Sequence, residues 1–262
     1  MDVELEPLHV ESVGAGAPLV MLHGWALHGG LFAPVVHAFA RTHRAHVVDL
    51  PGHGYSAPLD RWSLDGVVDR LDERFADCER LCVLGWSLGG MVAMHWAQRE
   101  PSRVERLLLV TTTPKFVSAP DWPLGIASET LERFADELRV AFTPTLLRFL
   151  TLQTRGSEAA RALLAGLRRD LLARGGPDRD ALDAALEVLR NVDLRATIGA
   201  LQQPALVVGG PRDTLVPLAA CEWLAQALPH GRLKAIEGAG HVPFISHRDE
   251  FLAAALPFID GD

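Results

Sequence analysis

Leu81-Cys82-Val83-Leu84-Gly85-Trp86-Ser87-Leu88-Gly89-Gly90 is the stretch that decides the fold. Its first four residues form a short apolar run of the length of a buried strand. Gly85-Trp86-Ser87-Leu88-Gly89 follows as G-x-S-x-G, and Met91 to Gln98, rich in Ala and Met, reads as a helix. A serine on a tight turn between a strand and a helix is the context of a nucleophile elbow. The glycines are required sterically. The sharp turn forces Ser87 into a strained backbone conformation, and a side chain at Gly85 or Gly89 would strike the adjoining strand or helix. The same turn aims the helix N-terminus, with its free N–H groups and positive dipole, at charge developing beside the serine.

Working outward, 262 residues make one large domain, or one domain with an insertion, with enough chain to bury a sizeable core. A formal net charge of −8 offers no broad basic surface to nucleic acid or an anionic membrane. Met1-Asp2-Val3-Glu4 begins acidic, which is not how a secretory signal begins, and no apolar run approaches a membrane span. Three cysteines (Cys78, Cys82, Cys221) without motif spacing point to reduced thiols in a cytoplasm.

Along the chain, Val3 to Val13 suits an antiparallel edge strand, and Pro18 to Leu22 a buried strand running into His23-Gly24-Trp25. Ala45 to Leu50 is the next strand. Ser63 caps an amphipathic helix to about Asp77, and Val104 to Thr111 is a further strand closing on Thr112-Thr113-Pro114. Strands alternating with helices argue a mostly parallel sheet with helices on both faces. Loops at the carboxyl ends of such strands form the ligand crevice, so His23-Gly24-Trp25, Ser87 and Thr112-Thr113-Pro114 should face it. From Lys115 to Thr197 the strand pattern stops. Helices broken at Pro120 to Pro123, Gly156-Ser157 and Gly175-Gly176-Pro177 predict a helical cap over residues 115–197, set into a core of 1–114 and 198–262. Thr143-Pro144 reads there as a helix N-cap and first residue. The sheet resumes at Pro204 to Gly210, before Pro211-Arg212-Asp213. Arg232 to Ile236 is the last strand, before Gly238-Ala239-Gly240-His241, and Phe251 to Ile259 is a terminal helix.

A hydrolytic serine needs a base, and the base an orienting acid. The chain order on such a sheet is Ser, then Asp or Glu, then His. Asp213 and His241 each fall just past a strand end, on the edge that carries Ser87. Among eleven histidines, His43, His46 and His247 lie in or beside regular elements, and His53 precedes the elbow. Asp49 also precedes the serine, and Asp193 falls in the cap. The backbone N–H of Leu88 and that of Trp25 are the expected oxyanion donors. No His-Glu-x-x-His and no phosphate-binding glycine loop is present, so neither a metal nor a cofactor is expected.

These residues together resemble the α/β-hydrolase family, and within it the carboxylesterases of biotin synthesis. The resemblance rests on Leu22 to Trp25, Val48 to Gly52, Gly85 to Gly90, Arg148 to Thr154 and Pro243 to His247. It implies Ser87, Asp213 and His241 as catalytic residues. It implies substrate contacts at Trp25, Ser87, Leu88, Phe149, Leu150, Thr151, Leu152, Gln153 and His241. The implied substrate is a pimeloyl methyl ester borne on an acyl carrier protein. A monomer is expected. The charge pattern adds to this. Residues 139–174 hold seven arginines against Glu158 and Asp170 in an acidic chain. Arg148 and Arg155, and Arg161 and Arg168, are spaced to share helix faces, which would suit an acidic carrier or equally a solvated surface. A general short-chain esterase or carbon–carbon bond hydrolase of the same fold is the alternative, and a receptor without turnover a more distant one. Dehalogenases and epoxide hydrolases place an aspartate where Ser87 stands.

Overall fold

The structure is a computed structural model that describes residues 6–153 and 177–261. Seven strands form one sheet in the order β1-β3-β2-β4-β5-β6-β7. They are β1 (Val10–Val13), β2 (Ala17–Leu22), β3 (His43–Val48), β4 (Leu81–Trp86), β5 (Val104–Val110), β6 (Ala205–Gly209) and β7 (Gly231–Ala235). β1 runs antiparallel to β3 at the edge, and all other neighbours are parallel. The helices are α1 (Ala33–Phe39), α2 (Leu64–Arg74), α3 (Leu88–Arg99), α4 (Ser128–Val140), α5 (Phe142–Gln153), α6 (Arg179–Asn191), α7 (Arg195–Ile198), α8 (Leu218–Ala227), α9 (Pro243–Ser246) and α10 (Arg248–Asp260).

β4 lies at the centre of the sheet and is buried along its whole length. Alternate residues of a strand face opposite sides, and the two sides of β4 meet different helices. Gly85 faces α3, where an added Cβ would lie 2.5 Å from the Gly89 carbonyl oxygen. Trp86 faces the other way, edge-on to Phe244 of α9 at 5.6 Å, and Phe244 packs on Phe251 of α10. The central parallel strands β4 and β6 are apolar runs because both of their faces are covered, whereas β7 at the edge is half-exposed and carries Arg232 and Lys234.

Element bounds differ from the sequence reading where side chains intervene. The edge strand starts at Val10, since the His9 N–H is taken by Ser56 Oγ at 2.8 Å. β3 ends at Val48; the Asp49 carboxylate accepts from Gly29 N–H (2.7 Å) and Tyr55 N–H (3.0 Å) and turns the chain. Ser63 caps α2 through a bond from Gly66 N–H, but the helix stops at Arg74. Thr143-Pro144 is not the start of a helix: α5 begins at Phe142, with Thr145 N–H already bonded to the Ala141 carbonyl. Proline is tolerated as its third residue because first-turn N–H groups have no intrahelical acceptor.

The segment between β5 and β6 carries α4, α5, α6 and α7. The expected breaks at Gly156-Ser157 and Gly175-Gly176 lie outside the described residues; that at Pro120 to Pro123 is a turn in which Ala119 and Trp122 exchange backbone bonds. Where this segment leaves and rejoins the sheet, its two ends are tied. Leu194 N–H donates to the Pro114 carbonyl (2.9 Å), and Lys115 pairs with Asp193 in an antiparallel bridge. Lys115 Nζ lies 3.0 Å from Asp193, and Arg195 bonds both Asp193 and Asp121 while stacking over Trp122.

Candidate active site

Ser87 sits between β4 and α3 with φ 56° and ψ −119°, the strained elbow that the glycines permit. Its N–H donates to the Val110 carbonyl (3.0 Å). Its carbonyl accepts from Gly90 N–H (2.9 Å) and from Thr112 Oγ1 (2.7 Å). α3 presses so closely that a Cβ on Gly89 would lie 2.2 Å from the Leu22 carbonyl oxygen. The elbow is thus wedged between β2, β5 and its own helix.

Asp213 follows β6 and His241 follows β7, both at the carboxyl edge where Ser87 ends β4. His241 Nδ1 and Asp213 Oδ2 are 2.8 Å apart, with the two side chains almost fully buried. Asp213 Oδ1 accepts from Leu215 N–H (2.8 Å) and Val216 N–H (3.0 Å), which fixes the carboxylate plane. The backbone of the histidine is held as well. Trp86 Nε1–H donates to the His241 carbonyl at 2.7 Å, and Thr111 Oγ1–H does so at 2.8 Å. The Trp86 and His241 rings are 5.4 Å apart. Among the described residues, the non-glycine residues with positive φ are Ala26 (63°), Ser87 (56°) and Thr111 (41°). All three adjoin this site, and strain of that kind persists only where the surroundings impose it.

The His23-Gly24-Trp25 loop runs alongside the serine. A Cβ on Gly24 would meet the Trp86 ring at 2.9 Å and Ser87 Cβ at 3.1 Å. Leu50 N–H donates to His23 Nε2 (2.8 Å), so the ring proton is on Nδ1, 2.8 Å from the Gly24 carbonyl. Burial, and then the neighbouring His53, push the His23 pKa down to about 3, so the ring stays neutral. With the Gly24 carbonyl pinned, the N–H of Trp25 across the same trans peptide points the opposite way. Leu88, the first residue of α3, has an N–H without an intrahelical acceptor.

Ser87 and His241 open into a pocket that is otherwise apolar. Trp25, Leu27, Trp86, Phe116 and Leu215 line it from the sheet edge, and Leu131, Phe134, Leu146 and Leu189 from the α4–α6 segment. Trp25 joins the two sides: its Nε1–H donates to the Leu182 carbonyl of α6 (2.9 Å), and its ring meets Phe134 at 6.0 Å. The lining from α4, α5 and α6 was not singled out in the sequence; its apolar spacing was the available signal. Of the residues implied to contact substrate on α5, Thr151 is exposed and its hydroxyl donates to the Leu147 carbonyl (2.7 Å). The side chains of Phe149, Leu150, Leu152 and Gln153 lie outside the described residues, as do Arg155, Arg161 and Arg168. Arg148 is ion-paired with Glu137 of α4, and Arg139 with Asp136 and Asp183. Acids outside residues 139–174 in sequence therefore fold against two of the seven arginines.

Among the described residues, no helix is long and apolar enough to cross a membrane, and no group of three or more His, Cys, Asp or Glu is placed to hold a metal ion.

A strained serine between strand and helix, an aspartate–histidine pair beyond the ends of β6 and β7 and a mostly parallel sheet define a class of enzyme. A family model described as alpha/beta hydrolase fold matches residues 17–248, and the chain belongs to that family. More particularly, it is 44% identical over 253 residues to the pimeloyl-[acyl-carrier protein] methyl ester esterase of Chromobacterium violaceum, covering 97% of this chain and 98% of that one. It is 42% identical to the protein of the same name from Nitrosomonas europaea, covering 94% and 97%. Among solved structures, an esterase from Exiguobacterium antarcticum superposes with a TM-score of 0.88 at 21% identity, covering 97% of this chain and 96% of that one. A bromoperoxidase from Bacillus anthracis does so with 0.87 at 20%, covering 97% and 95%. These two likenesses show the fold alone.

Proposed function

We propose that this protein is a serine carboxylesterase of biotin synthesis that hydrolyses the methyl ester of pimeloyl-[acyl-carrier protein], releasing methanol. The observation that carries the chemistry is the buried Asp213–His241 pair, whose histidine lines the same apolar pocket as Ser87. The names of relatives more than 40% identical over nearly the whole chain carry the substrate.

In this reading His241 takes the Ser87 proton through Nε2, while Asp213 holds the proton on Nδ1 and stabilises the imidazolium. Ser87 Oγ attacks the ester carbonyl, and the N–H groups of Trp25 and Leu88 bind the oxyanion. Methanol departs with a proton from His241. Water then adds to the acyl-enzyme by the same route and returns the serine. The pocket lining from α4, α5 and α6 suits an aliphatic chain, each buried methylene contributing about 0.8 kcal/mol. Residues 115–197 act as the cap and 1–114 with 198–262 as the core. Arg148, Arg155, Arg161 and Arg168 take part in docking an acidic carrier to a cytoplasmic monomer.

The test is complementation with direct chemistry. The gene should restore growth without biotin to a strain lacking this esterase, and the purified protein should remove 14 mass units from pimeloyl-carrier methyl ester (a methyl exchanged for a proton, roughly CH₂ by the chemistry of ester hydrolysis). Ser87→Ala should do neither. Failure of the wild-type protein on this substrate, with turnover of unrelated esters, would leave only a general esterase.

A further inference from the structure

We propose that Thr111 and Thr112 are positioning residues that set Ser87 and His241 in place relative to each other. This rests on the reading of Ser87 as nucleophile and His241 as base. The two threonines are adjacent in sequence just past the end of β5, yet their hydroxyls serve different loops. Thr111 Oγ1–H donates to the carbonyl of His241, 130 residues away, and Thr112 Oγ1–H to the carbonyl of Ser87. One dipeptide therefore bonds to the backbone of both reacting residues.

The backbone of this dipeptide is unusual in a way that matches the role. Thr111 has φ 41°, a left-handed conformation that a β-branched residue seldom adopts. Successive side chains along extended backbone point to opposite sides, and here the two neighbouring hydroxyls part toward different loops. Thr111 is also anchored from behind by its N–H to the Val208 carbonyl (2.7 Å). Thr111 and Thr112 are both fully buried.

Neither hydroxyl is required to satisfy the carbonyl it bonds. The His241 carbonyl also accepts from Trp86 Nε1–H, and the Ser87 carbonyl from Gly90 N–H. Loss of either hydroxyl leaves no buried acceptor orphaned, so it costs little folding stability. What it removes is the second point of attachment that fixes where each reacting group sits. Displacement of a reacting group by about an ångström costs up to about 100-fold in rate.

The experiment compares Thr111→Val and Thr112→Val, nearly isosteric but without the hydroxyl, with Thr111→Ser and Thr112→Ser, which keep it. Steady-state kcat and KM are measured on a medium-chain methyl ester, with the rate of covalent labelling by a fluorophosphonate and a thermal melt of each protein. Each valine variant is expected to lose about 10- to 100-fold in kcat and in labelling rate, with KM changed by less than about twofold. The serine variants are expected to recover most of the loss. A loss below about threefold in both valine variants overturns the proposal, as does a loss the serine variants share in full. Ser87→Ala is assayed alongside: normal turnover in that variant would remove the underlying reading rather than the role of the threonines.

Discussion

If Asp213 orients His241 as proposed, Asp213→Asn separates that role of the carboxylate from its structural one. In the native protein Asp213 Oδ1 accepts from Leu215 and Val216 N–H, and Oδ2 faces His241 Nδ1. Asparagine fits the same space. Its carbonyl oxygen keeps the two backbone bonds, so the amide NH₂ is the group turned toward Nδ1. A donor there forces the imidazole proton onto Nε2, and the ring can no longer accept the serine proton. A wrong-tautomer change of this kind lowers kcat by about 10⁴, or roughly 5.4 kcal/mol of transition-state stabilisation. Folding should hardly respond, with the melting temperature within about 3 °C of wild type, because the backbone bonds survive. Asp213→Ala should behave differently. It strips an acceptor from the part-buried Leu215 N–H and from two buried donors, at about 1–3 kcal/mol for each buried one, and should lower activity and melting temperature together. The assay is initial-rate hydrolysis of a p-nitrophenyl ester with a circular dichroism melt. An asparagine variant retaining more than about a tenth of wild-type kcat would refute the tautomer reasoning.

Further expectations follow from other parts of the site. His241→Ala should lower kcat by roughly 10⁴ to 10⁶, and combining it with Ser87→Ala should cost little more if the two act as a unit, as proposed; additive losses in single-turnover rates would argue against that. Phe134→Ala opens the pocket beside Trp25. It should lower kcat/KM for a medium-chain methyl ester by about three- to tenfold and for an acetate ester by less than about twofold, the loss of one or two methylene contacts; equal losses on both would point to damage elsewhere. Stability should fall on acidification through His46, whose pKa burial and Arg44 push down to about 4. The unfolded chain, with a histidine near 6.5, binds more protons between these values, so stability is full above pH 6.5 and declines toward pH 4. Melting curves of His46→Phe should show a shallower decline over that window, and parallel curves for variant and wild type would refute it.

The sheet and its elbow were legible because their constraints are local. Gly85 is dictated by contacts with Gly89 and Gly90, within a few residues of Ser87, and buried parallel strands leave uninterrupted apolar runs. Asp213 and His241 could be placed because each follows its strand within a short loop. Less legible were bonds that join distant loops. Nothing near Trp86 in sequence indicates that its indole reaches the His241 carbonyl, and nothing near His23 that it bonds Leu50. Apolar residues such as Leu131 and Leu189 show the same periodicity whether they face a helix or a pocket. Charge counted along the chain also misses what folding adds, as Arg139 and Arg148 show by meeting Asp183 and Glu137. The start of α5 was displaced because proline is accepted anywhere in a first turn.

The bridge between Lys115 and Asp193 has a consequence for how the chain finds its fold. β5 and β6 are neighbours in the sheet, yet roughly 95 residues separate them, and pairing them directly closes a loop of that length. If the two ends of the intervening segment meet first, through Leu194 N–H to Pro114 and the ion pairs of Asp193 with Lys115 and Arg195, the remaining loop is only about 15 residues. The entropic cost of bringing β6 onto β5 then falls by about 1.6 kcal/mol, or roughly 15-fold in rate. The order of assembly would be the inserted helices closing on themselves, then the second half of the sheet joining the first. Asp193→Asn should accordingly slow refolding more than it speeds unfolding in stopped-flow experiments, and the opposite partition would place this bridge among the last contacts made.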